Sequence, residues 1–277
     1  MIHLIPTLDH VVVNVRDRAD EAAETWRRLG FTLTPRGHHT LGSVNHLAIF
    51  GTDYLELLGL PAGSTARPEL MEAPAGLNGI VFGTEDAEAT RAALVQAELP
   101  VHPIDDFSRP VALSEGTFDA VFRTVRLKPE AVPSGRLYFC QHKTRHLVWR
   151  DEWRHHANGV AGVARAIFAA EDPTHLGHLF ARMFGPGSTR SIEGGRALTV
   201  GLSRVDILTP AALRAEFGDA VPDPAGRSTY MAALALRTRS LDATARALEG
   251  VAGVRREADR IVVPASDAFG TALAFCL

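Results

Sequence analysis

Two short apolar segments each contain one side chain able to bind a metal ion or move a proton. His10 lies in LDHVVVNVRD (Leu8–Asp17) and Glu56 in DYLELLG (Asp53–Gly59). In an extended strand, alternation puts Val11, Val13 and Val15 on one face and His10, Val12 and Asn14 on the other. Leu55 and Leu57 likewise oppose Tyr54, Glu56 and Leu58. An ionised carboxylate within an apolar strand is costly unless it is paired or bound to a cation, so Glu56 calls for a partner. An imidazole and a carboxylate offered from the polar faces of two such strands suit either metal binding or proton transfer. The competing reading is a buried His10 hydrogen-bonded to a strand carboxylate, with no metal at all.

Further polar side chains occur at strand-like positions. Asn45 and His46 open NHLAIF, and Gln141 and His142 close LYFCQH. His38 and His39 stand in a loop-like PRGHHTLGSVNH and read as solvent-facing. Trp149 falls in a charged, aromatic stretch, VWRDEWRHHANGVAG, with two readings: a packing anchor or a wall of a ligand pocket. Neither G-x-S-x-G nor H-E-x-x-H occurs, which removes the commonest hydrolase and metalloprotease signatures.

The elements that must carry these residues repeat. A strand at Leu8–Val15 leads to a helix at Arg18–Leu29, stopped by Gly30, and then to strands at Phe31–Leu33, Asn45–Phe50 and Tyr54–Leu58. A second unit runs from GIVFG (79–83) through a helix at Asp86–Leu99 to strands at Ala120–Leu127 and Arg136–Gln141. A third starts at VARAIFAA (163–170), with a helix at Thr174–Phe184 stopped by Gly185 and strands at Ala197–Leu202 and Arg204–Leu208. The fourth uses Met231–Leu236, the helix Leu241–Leu248, Ile261–Val263 and Ala272–Cys276. Four βαβββ units thus fill nearly the whole chain. The charged stretch at Val148–Gly162 with its Asn-Gly turn divides them into two pairs, at residues 1–158 and 159–277.

A tandem βαβββ repeat carrying LDHVV, LGFTLTPRG, NHLAIF, YLELLG and then FCQH, VWR and EW resembles the glyoxalase-like proteins of the vicinal-oxygen-chelate superfamily. The motif match spans Leu8–Trp153, and the remainder matches in architecture alone. The resemblance implies an α+β fold in which paired modules curl two mixed sheets around a cavity, with the helices outside. It also implies a divalent ion (zinc, nickel, iron or manganese) held by the first and last strands of the modules. Carried over by residue, His10 and Glu56 are ligands from the first module. The second module offers Gly79, which has no donor, and a closing-strand position at Phe139, with Gln141 taken to share its face and His142 one residue beyond. The third ligand is then Gln141, His142 or a histidine from elsewhere, with His46 the best outside candidate and His142 the one taken. Glu56 and His142 are the expected proton carriers, and Asn45, His46, Gln141 and Trp149 the expected substrate contacts. In the second pair, Arg165 falls near the place of His10, and Asp206 is the single residue there able to coordinate a cation.

Bulk properties narrow the function classes. The 277 residues are 46% hydrophobic and 22% charged, enough for a substantial core. A net charge of −3 gives no basic field for nucleic acid. No long apolar run suggests a membrane span, and no signal-peptide pattern opens the chain, so a cytoplasmic protein is expected. Cys140 and Cys276 sit in apolar strands and read as free thiols. A small molecule is the expected partner and a homodimer the default assembly. Two functions compete: an isomerase or lyase that chelates a small oxygenated substrate through a divalent metal, and a metal-free protein that sequesters a small molecule in the same cavity.

Overall fold

The computed structural model describes residues 3–132 and 135–277. The first module comprises β1 (Leu8–Arg16), α1 (Ala19–Arg28), β2 (Gly37–His38), β3 (Val44–Ile49) and β4 (Tyr54–Gly59). A short helix α2 (Pro68–Glu72) leads to the second, with β5 (Gly76–Gly83), α3 (Ala87–Gln96), β6 (Asp105–Leu113), β7 (Gly116–Arg126) and β8 (Arg136–His142). The third has β9 (Val160–Ala170), α4 (Pro173–Phe184), β10 (Thr189–Ile192), β11 (Gly195–Val200) and β12 (Ser203–Leu208). After α5 (Pro210–Phe217), the fourth has β13 (Thr229–Thr238), α6 (Leu241–Ala247), β14 (Arg255–Arg256), β15 (Arg260–Val263) and β16 (Ala272–Cys276).

Each pair of modules forms one eight-stranded mixed sheet. The orders are β2-β3-β4-β1-β5-β8-β7-β6 and β10-β11-β12-β9-β13-β16-β15-β14. In both, the first strands of the two modules pair antiparallel at the centre, and each pairs parallel with its own module's closing strand. This is the expected α+β architecture of two curled mixed sheets.

Local chemistry explains the helices. α1 has Asp20 and Glu21 in its first turn and Arg27 and Arg28 in its last, matching the helix dipole, while Ala22, Ala23 and Trp26 are buried. Asp86 caps α3 by accepting the Ala89 N–H at 3.0 Å, and Asp172 caps α4 by accepting that of Thr174 at 2.9 Å. Gly185 ends α4 with φ +99°, a conformation that favours glycine.

On β1 and β4 the core-facing residues alternate as expected. Val11, Val13 and Val15 of β1, Leu55 and Leu57 of β4, Ile80 and Phe82 of β5 and Phe139 of β8 enter one cluster. That cluster continues into the C-terminal sheet through Val163, Phe168, Phe180 and Phe275, so one core runs between the two sheets. Phe184 packs on Phe82 and Phe139, and Phe31 on Phe275, across the 158/159 division.

One expected strand is absent, and several elements were not foreseen, β6 and α5 among them. Phe31–Leu33 is not a strand: Phe31 packs as a buried side chain against Trp26 and Phe50 in irregular backbone. The edge strand β6 was not expected; its Pro110 masks an otherwise regular alternation, as proline is tolerated at a sheet edge. Helix α5 was also not expected. Both cysteines are free. No helix among the described residues is long and apolar enough to cross a membrane.

Candidate functional site

The N-terminal sheet curls around a partly open cavity of about 280 Å³. His10 enters it from β1, Asn45 and Leu47 from β3, and Tyr54, Glu56 and Leu58 from β4. Phe107 and Arg109 enter from β6, Phe122 and Thr124 from β7, and Arg136, Tyr138 and Cys140 from β8. All are same-face residues of their strands, so the period of two that buries the valines also lines the cavity.

His10 is held from both ring nitrogens. Its Nδ1 lies 2.6 Å from Asp9 Oδ1, and its Nε2 lies 3.2 Å from the Tyr138 hydroxyl and 3.7 Å from Glu56 Oε2. Tyr54 stacks on the ring with centroids 4.3 Å apart. The same Asp9 oxygen accepts from His142 Nε2 at 3.0 Å. Burial opposes the charge on Asp9. The charge and hydrogen bond of His142 and the hydrogen bond from His10 outweigh that opposition, so the carboxyl lies well below its ordinary range. Because an ionised carboxylate accepts only, His10 Nδ1 must donate. In the neutral ring, Nε2 then presents its lone pair to Tyr138 and the cavity.

Glu56 is equally fixed. The Asn45 amide donates to Oε1 at 2.6 Å and also stands 3.2 Å from His39 Nε2. Burial raises the Glu56 pKa, but His10, His39, Asn45 and Arg136 together bring it below the ordinary value, so the carboxylate is ionised. His39 is not solvent-facing: it packs edge-on against Phe107, its Nδ1 lies 2.9 Å from Ser43 Oγ, and burial lowers its pKa to about 4.

Cations also line the cavity. Arg67 pairs with Glu69 and Arg126 with Asp105, each at 2.8 Å. Arg109 is 3% exposed, and its Nε and Nη2 have no hydrogen-bond partner among the described residues. Arg136 donates from Nε to Asn78 at 3.2 Å, while its Nη2 is buried without a partner among them. Burial lowers the pKa of both guanidiniums.

The sequence-derived candidates divide into two groups. His10, Asn45 and Glu56 converge in the cavity. His46 points to the opposite face, where its Nδ1 meets the Thr34 carbonyl at 2.9 Å. Gln141 also points away, binding the Ala87 N–H at 3.3 Å and the Glu85 carbonyl at the start of α3. Phe139 faces the core, and pairing of Val81 with Tyr138 puts Tyr138 at the closing-strand position that corresponds to Glu56. His142 and Trp149 sit behind the cavity lining, packed against each other and against Tyr54. Asp9, His39, Arg109 and Tyr138 were missed. The alternation Phe107, Arg109, Val111 was the available signal for the strand that carries the arginine.

The spacing of the donors decides whether a metal fits. Two ligands of one ion, each about 2.1 Å from it, stand at most about 4.2 Å apart. His10 Nε2 and Glu56 Oε2 meet that limit at 3.7 Å. The Asp9 bond to the other nitrogen is the outer contact that orients a metal-binding histidine. Gly79 supplies nothing, and a Cβ there would stand 2.9 Å from Val12 Cβ, so the packing itself excludes a donor. The His10–Glu56 pair therefore fits two adjacent positions of a divalent ion, with the others left to a ligand. Asp9, Cys140 and His142 form a second set able to hold an ion, their donors all lying within 4.8 Å of one another. There, Asp9 is already bonded to two histidines, and burial pushes the Cys140 thiol well up.

The C-terminal sheet repeats the framework without the cavity chemistry. By register, Arg165 takes the place of His10 and Asp206 that of Glu56. They are joined by a 2.7 Å ion pair, which Glu216 of α5 extends at 2.6 Å. Leu213 and Phe217 of α5 fill the concave face.

Residues 8–184 match the family model described as a glyoxalase-like domain. No curated protein matches the chain. A hypothetical protein from Staphylococcus aureus is similar in structure, with TM-score 0.66 and 12% identity, over 98% of this chain and 99% of that one. A mutant 4-hydroxymandelate synthase from Streptomyces coelicolor gives TM-score 0.59 and 12% identity, over 98% and 92%.

Proposed function

The chain belongs to the glyoxalase-like domain family, with the vicinal-oxygen-chelate fold, and from that premise we propose that it is an isomerase or lyase acting on a small oxygenated substrate in the N-terminal cavity. The observation that carries this reading is the ionised, buried Glu56, with one oxygen fixed by Asn45 and the other 3.7 Å from His10 Nε2. In this reading Glu56 Oε2 takes a proton from a carbon beside a carbonyl. The electron pair passes to the carbonyl oxygen, towards the cavity cations. Where the first carbon carries a hydroxyl, that hydroxyl gives up its proton to become the new carbonyl, the former carbonyl oxygen takes up a proton and the neighbouring carbon receives the one from Glu56, which completes an isomerisation; where a leaving group stands β to the carbonyl, its departure with the electron pair completes an elimination. Asp9 is a positioning residue: it holds the His10 tautomer and ring plane. The two roles of Glu56 Oε2 exclude each other at any moment: with His10 Nε2 it would hold a divalent metal, which would supply Lewis acidity towards substrate oxygen, and without the metal it is the free proton acceptor. His142 acts on His10 through Asp9 rather than on the substrate.

The test is proton NMR in deuterium oxide with a panel of 2-oxoaldehydes and 2-hydroxy acids. The expected result is turnover or deuterium uptake at the carbon beside the carbonyl, reduced about 10²- to 10⁴-fold in Glu56→Gln. A second reading, metal-free sequestration, draws support from the donorless, sterically closed position at Gly79. Tight binding with neither exchange nor turnover, in protein with and without added zinc or manganese, would replace the first reading with the second.

A further inference from the structure

Resting on the assignment of the N-terminal cavity as the binding site, we propose that its ligand is a monocarboxylate with a compact apolar body, its carboxylate held by Arg109 and Arg136. A buried guanidinium left without partners is expensive, since its donors have lost water and gained nothing. Arg109 is in that state at Nε and Nη2, and Arg136 at Nη2, both on the wall of one cavity. The planar fork of arginine fits a carboxylate in two parallel hydrogen bonds, a geometry that an isolated hydroxyl or carbonyl cannot satisfy.

Charge sets the valence of the ligand. Among the side chains that line the cavity, Glu69 and Asp105 neutralise two of the four arginines and Glu56 faces Arg109 and Arg136, one positive charge in excess, while the ionised Asp9 stands behind the lining, hydrogen-bonded to His10 and His142. His39, with its pKa lowered to about 4, adds none near neutrality. A single negative charge on the ligand balances the cavity. The rest of the wall defines the body: Phe107 and Phe122 stack with centroids 5.2 Å apart, and Leu47 and Leu58 come from the strands opposite. A flat or branched hydrocarbon group of a few carbons fills a space of about 280 Å³.

The experiment compares matched acids and amides by titration calorimetry on the full chain in EDTA: 3-phenylpropionate against 3-phenylpropanamide, and isovalerate against isovaleramide. Each acid is expected to bind at least about tenfold more tightly than its amide, as for a buried charge-assisted pair. Arg109→Met is expected to abolish that preference and Arg109→Lys to restore part of it. Equal binding of acid and amide, binding of neither, or an acid preference unchanged in folded Arg109→Met would overturn the proposal. The comparison on the unaltered chain decides the matter even if Arg109→Met does not fold. The two readings fail separately. Acid binding without proton exchange leaves this inference standing and removes the catalytic one, and exchange confined to uncharged substrates does the reverse.

Discussion

At the residue scale, Asp9 is the pivot of the site, because one carboxylate oxygen serves both His10 and His142. Its folded pKa lies below the unfolded value of 3.8, so its contribution to stability is fully present above about pH 4 and is lost as pH falls towards the folded value. Asp9→Asn is expected to cost about 3 kcal/mol at pH 7 and to flatten the acid limb of a urea-midpoint profile against pH. An unchanged acid limb would show that the two histidines are not what holds the carboxylate charged. Replacing His10 by Ala removes the same partner from the other side. Its effect on exchange should match that of Glu56→Gln, while acid binding at Arg109 persists by calorimetry. His10 and Glu56 were legible in the sequence, because a polar residue alternating with valines or leucines has one place to go. Asp9 was not, because the register shift between Leu8 and His10 lets two consecutive side chains meet.

At the scale of elements, the second module closes the site without donating to a metal. Gly79 opposes Val12 across the central β1–β5 pair, and any side chain there meets the branch of that valine. Gly79→Ala is expected to destabilise the fold by about 1–3 kcal/mol, and Val12→Ala to relieve part of that penalty in the double variant. Additive penalties in thermal or urea unfolding would remove the steric explanation. The missing donor was visible in the sequence, whereas its cause lay in packing between strands 67 positions apart. Arg109 was missed for a different reason, although its strand alternates. DDFSRPVAL mixes exposed and cavity residues on an edge strand, so neither of its faces is uniformly apolar. On β8, a reading shifted by one residue put Phe139 and Gln141 where Tyr138 and Cys140 stand, and in a strand a single step exchanges the faces. In the C-terminal sheet the Arg165–Asp206–Glu216 network was half legible: the two strand residues were, but the glutamate comes from α5.

At the scale of the whole molecule, the two sheets share a core and are tied by buried polar groups. Asn158 donates to the Leu29 carbonyl at 2.8 Å, while its own carbonyl accepts from Thr238 and Thr244. Asp53, beside β4, accepts the Val163 N–H of β9 at 3.0 Å. Burial raises the Asp53 pKa from 3.8 to about 6, against the opposing effects of Val163 and Arg237. A raised value means that this contribution is present below about pH 4 and declines as pH rises through 6, by about 3 kcal/mol in all. Asp53→Asn should therefore be more stable than the parent above pH 7 and lack that decline in unfolding measurements. The same decline in both proteins would assign it elsewhere. The four repeats were legible from strand and helix signals alone, but the continuity of the core was not, since it depends on which faces the two sheets turn to each other. Along β1, β4 and β8, the residues that hold the sheets together and those that meet the ligand occupy alternate positions. Selection can therefore rewrite one set letter by letter while the other stays fixed. A lineage carrying this chain can change what it recognises without first surrendering its ability to fold.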